Sequence, residues 1–339
     1  MLDKKNSQRK SQKVWALLTW VAIVALLLSG CGQAKPKVYH VGVLSGLGFI
    51  ADATDGFKEG MTELGYVEGE NIVYDVQETD FDMEAYHDIL QKFVDDKVDL
   101  VVTFPTEATI EAKAVTQGTD IPVVFTYALI EGMGIVNSVR EPGGNITGVR
   151  YPGPDFAVRR FEVLMQLAPN TKRVWAPYQR GYPIVPPQLE ALRPVAQAAG
   201  VTLIEFPADN AAELQTELQA RAASDDIGMD AILMMVEPLM VTPDNFAVVA
   251  QFAHDHKIPF GGAYFPMGEL ADVFGVDVIS FDSGKAAAPL ADKILKGTPA
   301  GIIPVVSADP FLNIDYKVAQ EFGLTVPDGL LKQADAIHR

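Results

Sequence analysis

The chain has 339 residues, with 27 Lys and Arg against 44 Asp and Glu, a formal charge of −17, and a single cysteine. Its first thirty residues hold five basic side chains and one acid, so residues 31–339 carry 22 basic and 43 acidic groups, or −21. Such a body has no basic footprint for nucleic acid, no internal disulfide and no cysteine-rich metal cage. With 48% hydrophobic residues and a mean hydropathy of +0.13 it is neither disordered nor a polytopic membrane protein. At roughly 100–200 residues per domain, its length predicts two domains.

Residues 1–13 are basic and polar, and Val14 to Leu28 is apolar except for Thr19. That run is short of the roughly 20 residues a spanning helix needs. A charged leader, a short apolar stretch and small residues at a cut site describe a secretory signal. Leu28-Ser29-Gly30-Cys31 resembles the bacterial lipobox. The resemblance implies a signal over 1–30, a lipid on Cys31 and a tether over 31–37. The plainer reading is an uncleaved N-terminal anchor with a buried thiol. Either way the body is exported and held at a membrane surface, where nothing supplies ATP or NAD. Binding and hydrolysis remain open.

From Val38 the pattern alternates. Strands are predicted at 38–44, 72–76, 98–104 and 122–126, with helices at 52–64, 83–95 and 106–116. The helices show apolar residues at helical spacing, such as Phe57, Met61 and Leu64, or Tyr86, Ile89, Leu90 and Phe93. At Pro142-Gly143-Gly144-Asn145 the rhythm breaks, and Pro and Gly continue to Pro154, which reads as a domain crossing. Alternation resumes with helices at 156–167, 187–199, 211–223 and 245–256 and strands at 173–176, 202–206, 231–235 and 258–261. Strands alternating with helices mean βαβ units and parallel sheets. Two such halves predict two Rossmann-like α/β lobes, with a ligand cleft beyond the carboxyl ends of their strands that closes by a hinge.

Candidate binding residues follow from that geometry. Ser45 and Gly46 end the first strand, and Gly46-Leu47-Gly48-Phe49-Ile50-Ala51 fits a loose dinucleotide fingerprint. Its acidic partner is misplaced, because Glu68 and Glu70 precede the second strand and Glu78 lies past it. A turn with N–H groups facing a ligand and a plain tight turn stay open equally. Phe104 and Thr106 flank the end of the third strand. Thr106 opens a helix whose free N–H groups suit an anion or form an ordinary start. Glu237 follows an apolar strand, where it meets a ligand ammonium or is a solvated loop acid. Tyr127, Tyr178 and Tyr264 each follow a strand end, as rings flanking an apolar solute or as packing. His254 and His256 are two apart and share no helical face, so no metal site is expected. No G-x-S-x-G occurs, and no catalytic set is assigned.

Several segments together carry a family likeness. They are Gly56-Phe57-Lys58-Glu59-Gly60-Met61 with Glu63-Leu64-Gly65-Tyr66-Val67-Glu68-Gly69 and Asn71; Ile121-Pro122-Val123-Val124-Phe125; Pro142-Gly143-Gly144-Asn145-Ile146-Thr147-Gly148-Val149; Gly275-Val276-Asp277; and Lys296-Gly297-Thr298-Pro299. Over about residues 38–336 the chain resembles the substrate-binding lipoproteins of ABC transporters that include the tryptophan and other aromatic amino acid binders. The resemblance implies a type 1 periplasmic-binding fold with a multi-strand hinge. It implies lobes of 38–150 plus about 278–309 and 151–277 plus about 310–339, no catalysis and no cofactor. It also implies a permease with its ATPase as partners, a lipid-anchored monomer outside the cytoplasm, and a small solute. That solute is an amino acid, aromatic ones included, with a purine, nucleoside or sugar-like solute, or a sensing role, as the alternative. Thr106 matches the family's helix-opening Thr, with Pro105 and Glu107 replacing its usual Gly and Pro neighbours. Glu237 stands where an Asp is common. The loop Tyr178-Gln179-Arg180-Gly181-Tyr182 departs from the family pattern, and Arg180 is a candidate for an acidic group of the ligand.

Overall fold

The first of two sheets contains β1 (Tyr39–Ser45), β2 (Ile72–Glu78), β3 (Leu100–Phe104), β4 (Val123–Ala128), β5 (Ile146–Arg150) and β11 (Val306–Ser307). These six strands lie in the order β11-β5-β4-β3-β1-β2, all parallel. The computed structural model describes residues 37–267 and 270–339, and Tyr39–Arg339 forms one unit. The second sheet is built from β6 (Arg173–Gln179), β7 (Thr202–Ala208), β8 (Ala231–Leu233), β9 (Phe260–Gly262), β10 (Phe274–Asp277), β12 (Phe311–Asp315) and β13 (Ala336–His338). Its seven strands lie in the order β13-β12-β10-β9-β8-β6-β7. Only the β10–β12 pairing is antiparallel.

Each sheet is buried on both faces, which is why its strands read as apolar runs rather than as alternating ones. On the first sheet, Val41, Val43 and Val102 pack toward α1 (Asp52–Glu63) and α9 (Ser280–Leu295). The intervening Leu44 and Val101 pack toward α2 (Met83–Asp95) and α3 (Thr106–Val115). The second sheet repeats the scheme. Val174 and Leu233 face α4 (Gly153–Leu167) and α5 (Val185–Ala198). Trp175 and Ile232 face α6 (Ala211–Ala222) and α8 (Pro243–His256).

The family-marking segments are scaffold. Gly56 and Gly60 let α1 cross α9 closely: a methyl group at Gly56 would land on the Phe281 carbonyl, and one at Gly60 would sit 2.7 Å from Ala288 Cβ. At Pro142–Asn145, Gly143 and Gly144 adopt φ of +76° and +58°, which favours glycine. The Asn145 amide donates to Thr116 Oγ1 at 3.0 Å and to the Ile121 carbonyl at 2.6 Å. This turn does not leave the first lobe. It feeds β5, and the chain crosses to the second sheet after Arg150, returns after β10 and crosses again after β11. The sequence rhythm missed β5 because its five residues are bracketed by Gly and Pro.

Candidate functional site

Parallel strands leave their carboxyl ends and following loops on one edge of each sheet, and a narrow cavity of ≈ 50 Å³ lies where the two edges meet. From the first sheet come Phe49 after β1, Phe81 after β2, Thr106 and Glu107 after β3, and Tyr127 in β4. Tyr151 follows β5. From the second come Tyr182 and Ile184 after β6, and Val236 and Glu237 after β8. Five aromatic rings therefore surround a space in which the only charged lining groups, among the described residues, are two carboxylates.

Two of those rings stand on strained backbone. Phe81 and Tyr127 have φ of +71° and +49°, a region bulky residues rarely enter. At Tyr127 the cause is visible: the β4–β5 register slips between Phe125 and Ala128. Such an irregularity re-aims a side chain, and here it turns the ring toward the cavity. The Tyr127 hydroxyl donates to Asp277 Oδ1 at 3.2 Å, and its ring lies 5.1 Å from that of Tyr151. Behind them Arg160 of α4, fully buried, donates to the Gly262 and Val276 carbonyls at 3.0 and 2.8 Å and to the Tyr151 hydroxyl at 2.7 Å. Burial pushes the Asp277 carboxyl up, while Arg160 and the two tyrosine hydroxyls oppose that shift. This network joins the chain just after β5 to the end of β10, so the hinge forms the cavity floor.

Glu237 is 3% exposed and caps the short helix α7 (Pro238–Val241). Its Oε2 accepts from Leu239 N at 2.8 Å, and its Oε1 accepts from Gln179 N and Met240 N at 3.2 and 3.3 Å. Burial pushes its pKa up to about 7 against those three N–H bonds, which pull the other way. Across the cavity, Tyr182 donates to Glu107, linking the two lobes. Burial raises the Glu107 carboxyl, and that bond opposes the shift. The Thr106 hydroxyl accepts from Leu129 N at 3.0 Å, which ties the start of α3 to the loop after β4.

Of the residues named from sequence, the structure gathers Thr106, Tyr127 and Glu237 on the cavity. The others lie elsewhere, each for a local reason. Ser45 is buried with no partner for its hydroxyl. Gly46 N donates to Phe104 O at 2.8 Å and Gly46 O accepts from Tyr86 OH at 2.9 Å, so this turn is closed on itself. Phe104 is fully buried in the core of the first sheet. Tyr178 lies inside β6, which runs to Gln179 rather than ending at Ala176, and its ring packs against the second-sheet core. Arg180 is exposed and paired with Asp209 and Glu213. Tyr264 donates to Asp315, stacks on His338 and lines a neighbouring cavity that shares Phe49 and Tyr127. Sequence reasoning missed Phe49, Phe81, Tyr151 and Tyr182 as lining residues, although each follows a strand end within a few positions. Cys31 and the signal lie outside the described residues. Among the described residues no helix is long and apolar enough to cross a membrane, and no acid, His and Cys group is placed to hold a metal.

Two doubly wound α/β lobes, crossed three times by the chain and enclosing a cavity at their strand ends, define a solute-binding protein of the type 1 periplasmic class. The chain belongs to the ABC transporter substrate binding protein family, which it matches over residues 43–338. The expected α/β fold and family both hold. A tyrosine-binding protein of Clostridioides difficile (strain R20291) is 27% identical over 321 residues, covering 88% of this chain and 89% of that one. Among solved structures, an ABC domain in complex with L-Trp from Streptococcus pneumonia superposes with a TM-score of 0.77 at 24% identity, covering 89% of this chain and all of the other. A Bacillus halodurans solute-binding protein with bound myo-inositol superposes with a TM-score of 0.62 at 12% identity, covering 86% and 99%.

Proposed function

We propose that this substrate-binding protein is exported, anchored through a lipid on Cys31, and captures a small amine-bearing solute, an amino acid or an amine related to one, for delivery to the permease and ATPase of an importer. The observation that carries the reading is the cavity itself: five aromatic rings around a space with a buried carboxylate, Glu237, at its wall. The rings suit an apolar or aromatic body, and the carboxylate suits an ammonium through a charge-assisted bond. The tyrosine-binding relative supports the same class. Residues 38–150 with about 278–309, and 151–277 with about 310–339, act as the two bodies that close on the solute. Closure excludes water and strengthens each polar contact. The solute leaves chemically unaltered, and the protein works as a monomer.

The test is isothermal titration of the full chain in detergent with a panel of amino acids, amines, nucleosides and sugars. A saturable heat with an amine-bearing solute, reduced at least tenfold by Glu237→Gln, is expected. Binding confined to sugars or nucleosides would refute the assignment of solute class. Retention of the protein in the membrane fraction, lost in Cys31→Ser, checks the anchor.

A further inference from the structure

The charge of the cavity bears on which amine it takes, and this inference rests on the reading of that cavity as the solute site. Glu107 from the first lobe and Glu237 from the second both line it. Glu107 accepts from the Tyr182 hydroxyl and Glu237 from Gln179 N, so both carboxylates border the loop after β6. No Lys, Arg or His among the described residues lines the space. Arg160 lies behind Tyr151 with its donors directed to the Gly262 and Val276 carbonyls and the Tyr151 hydroxyl, and its charge is answered by Asp277. Arg180, next to this loop in sequence, is held outside by Asp209 and Glu213.

A free amino acid brings one ammonium and one carboxylate. The ammonium finds two acids. The first-turn N–H groups of α3 are where a carboxylate would go, and Glu107 already stands in that turn. We propose that the cavity selects an arylalkyl amine, a primary ammonium on an aromatic body without a free α-carboxylate, over the zwitterionic amino acid with the same side chain. An α-carboxylate would bring a negative charge into a desolvated space lined by two acids and no cation, and an unpaired buried charge is strongly disfavoured. The discrimination is thus built as a repulsive element against the wrong solute. For the amine, the faces of Phe49, Phe81 and Tyr127 supply stacking and cation–π contact.

The test is a set of paired titrations on the full chain in detergent: tyramine against L-tyrosine, tryptamine against L-tryptophan, and L-tyrosine methyl ester as a solute whose carboxyl is masked. The amines and the ester are expected to bind at least tenfold tighter than the amino acids, a difference of about 1.4 kcal/mol. Glu107→Gln is expected to narrow that gap by raising amino acid affinity. Should that variant fail to fold, the wild-type pairs decide alone. L-tyrosine or L-tryptophan binding as tightly as its amine would overturn the proposal while leaving the aromatic-solute reading intact. Binding of neither class would overturn both.

Discussion

Replacing Arg160 with methionine probes the network under the cavity. The side chain is 0% exposed, and its guanidinium makes three hydrogen bonds of 2.7–3.0 Å. Bonds from a charged donor are each worth about 1.5–3 kcal/mol net. The gross loss is offset because the thioether carries no charge to desolvate and Nη1 of the arginine lacks a partner already. Methionine also fills most of the arginine stem, so the cavity contribution stays small. What remains is an Asp277 carboxylate without its compensating cation. Breaking a buried ionic arrangement from one side costs about 3–5 kcal/mol, a large share of the roughly 5–15 kcal/mol that holds a protein folded. Urea unfolding at pH 7.5 should therefore show Arg160→Met less stable by about 4 kcal/mol. Adding Asp277→Asn removes the stranded charge, so the double variant should cost less than the sum of the two singles by more than about 1 kcal/mol. A loss under about 1 kcal/mol, or strict additivity, would refute the idea that these groups act as a unit.

Three further outcomes follow from particular contacts. Gly56→Ala should destabilise by about 2 kcal/mol or more despite the better helix propensity of Ala, because the added methyl meets backbone of α9; Gly329→Ala, with open space around it, should be neutral or stabilising in the same melt. Tyr182→Phe removes the hydroxyl that links the lobes through Glu107; at about 1.5–3 kcal/mol for such a bond, small-angle scattering without solute should register a larger radius of gyration, and an unchanged profile would refute the link. Stability should also depend on pH. Burial raises Glu237 and Asp272 from ordinary values of 4.5 and 3.8 to about 7, so the native state binds protons before the unfolded chain does. Stability then rises as pH falls from above 7 toward 5 and levels off below the unfolded values. The paired surface acids such as Asp226 and Asp230 are lowered and act the other way, but exposed pairs contribute little. A higher urea midpoint at pH 5.5 than at 7.5 is expected, and Glu237→Gln with Asp272→Asn should shrink the difference.

How much of this was legible beforehand varied with burial. Strands and helices from Tyr39 to Ala128 match the sequence reading within a residue or two, because strands buried on both faces leave uninterrupted apolar runs. Beyond Gly261 no elements were assigned, and α9 went unread even though it completes the first lobe. Its Gly284 and Pro289 read as helix breakers, and only the close approach of α1 to Gly284 explains the glycine. At the site, Thr106 and Glu237, chosen because ligands sit past strand ends, both line the cavity. Tyr178 does not, because β6 continues through Pro177 to Gln179 and so keeps that ring within the strand. Tyr127 lines the cavity where a register slip breaks the alternation, and nothing in the residue string announces a slip.

The segments that identified the family are uninformative about its solute for a structural reason. Gly56 and Gly60 serve a helix crossing, and Gly143 to Asn145 serve a turn held by Thr116 and Ile121. None of them lines the cavity. The lining residues come a few at a time from the ends of β1, β2, β3, β4, β5, β6 and β8, where each position must satisfy the local turn but the groups have no fixed spacing to one another. Scaffold and selectivity are thus encoded in different parts of the chain. A change at Glu107 can alter which charge the cavity accepts without touching the close-packed glycines that hold the lobe together, so solute class has to be read from the assembled wall rather than from any contiguous motif.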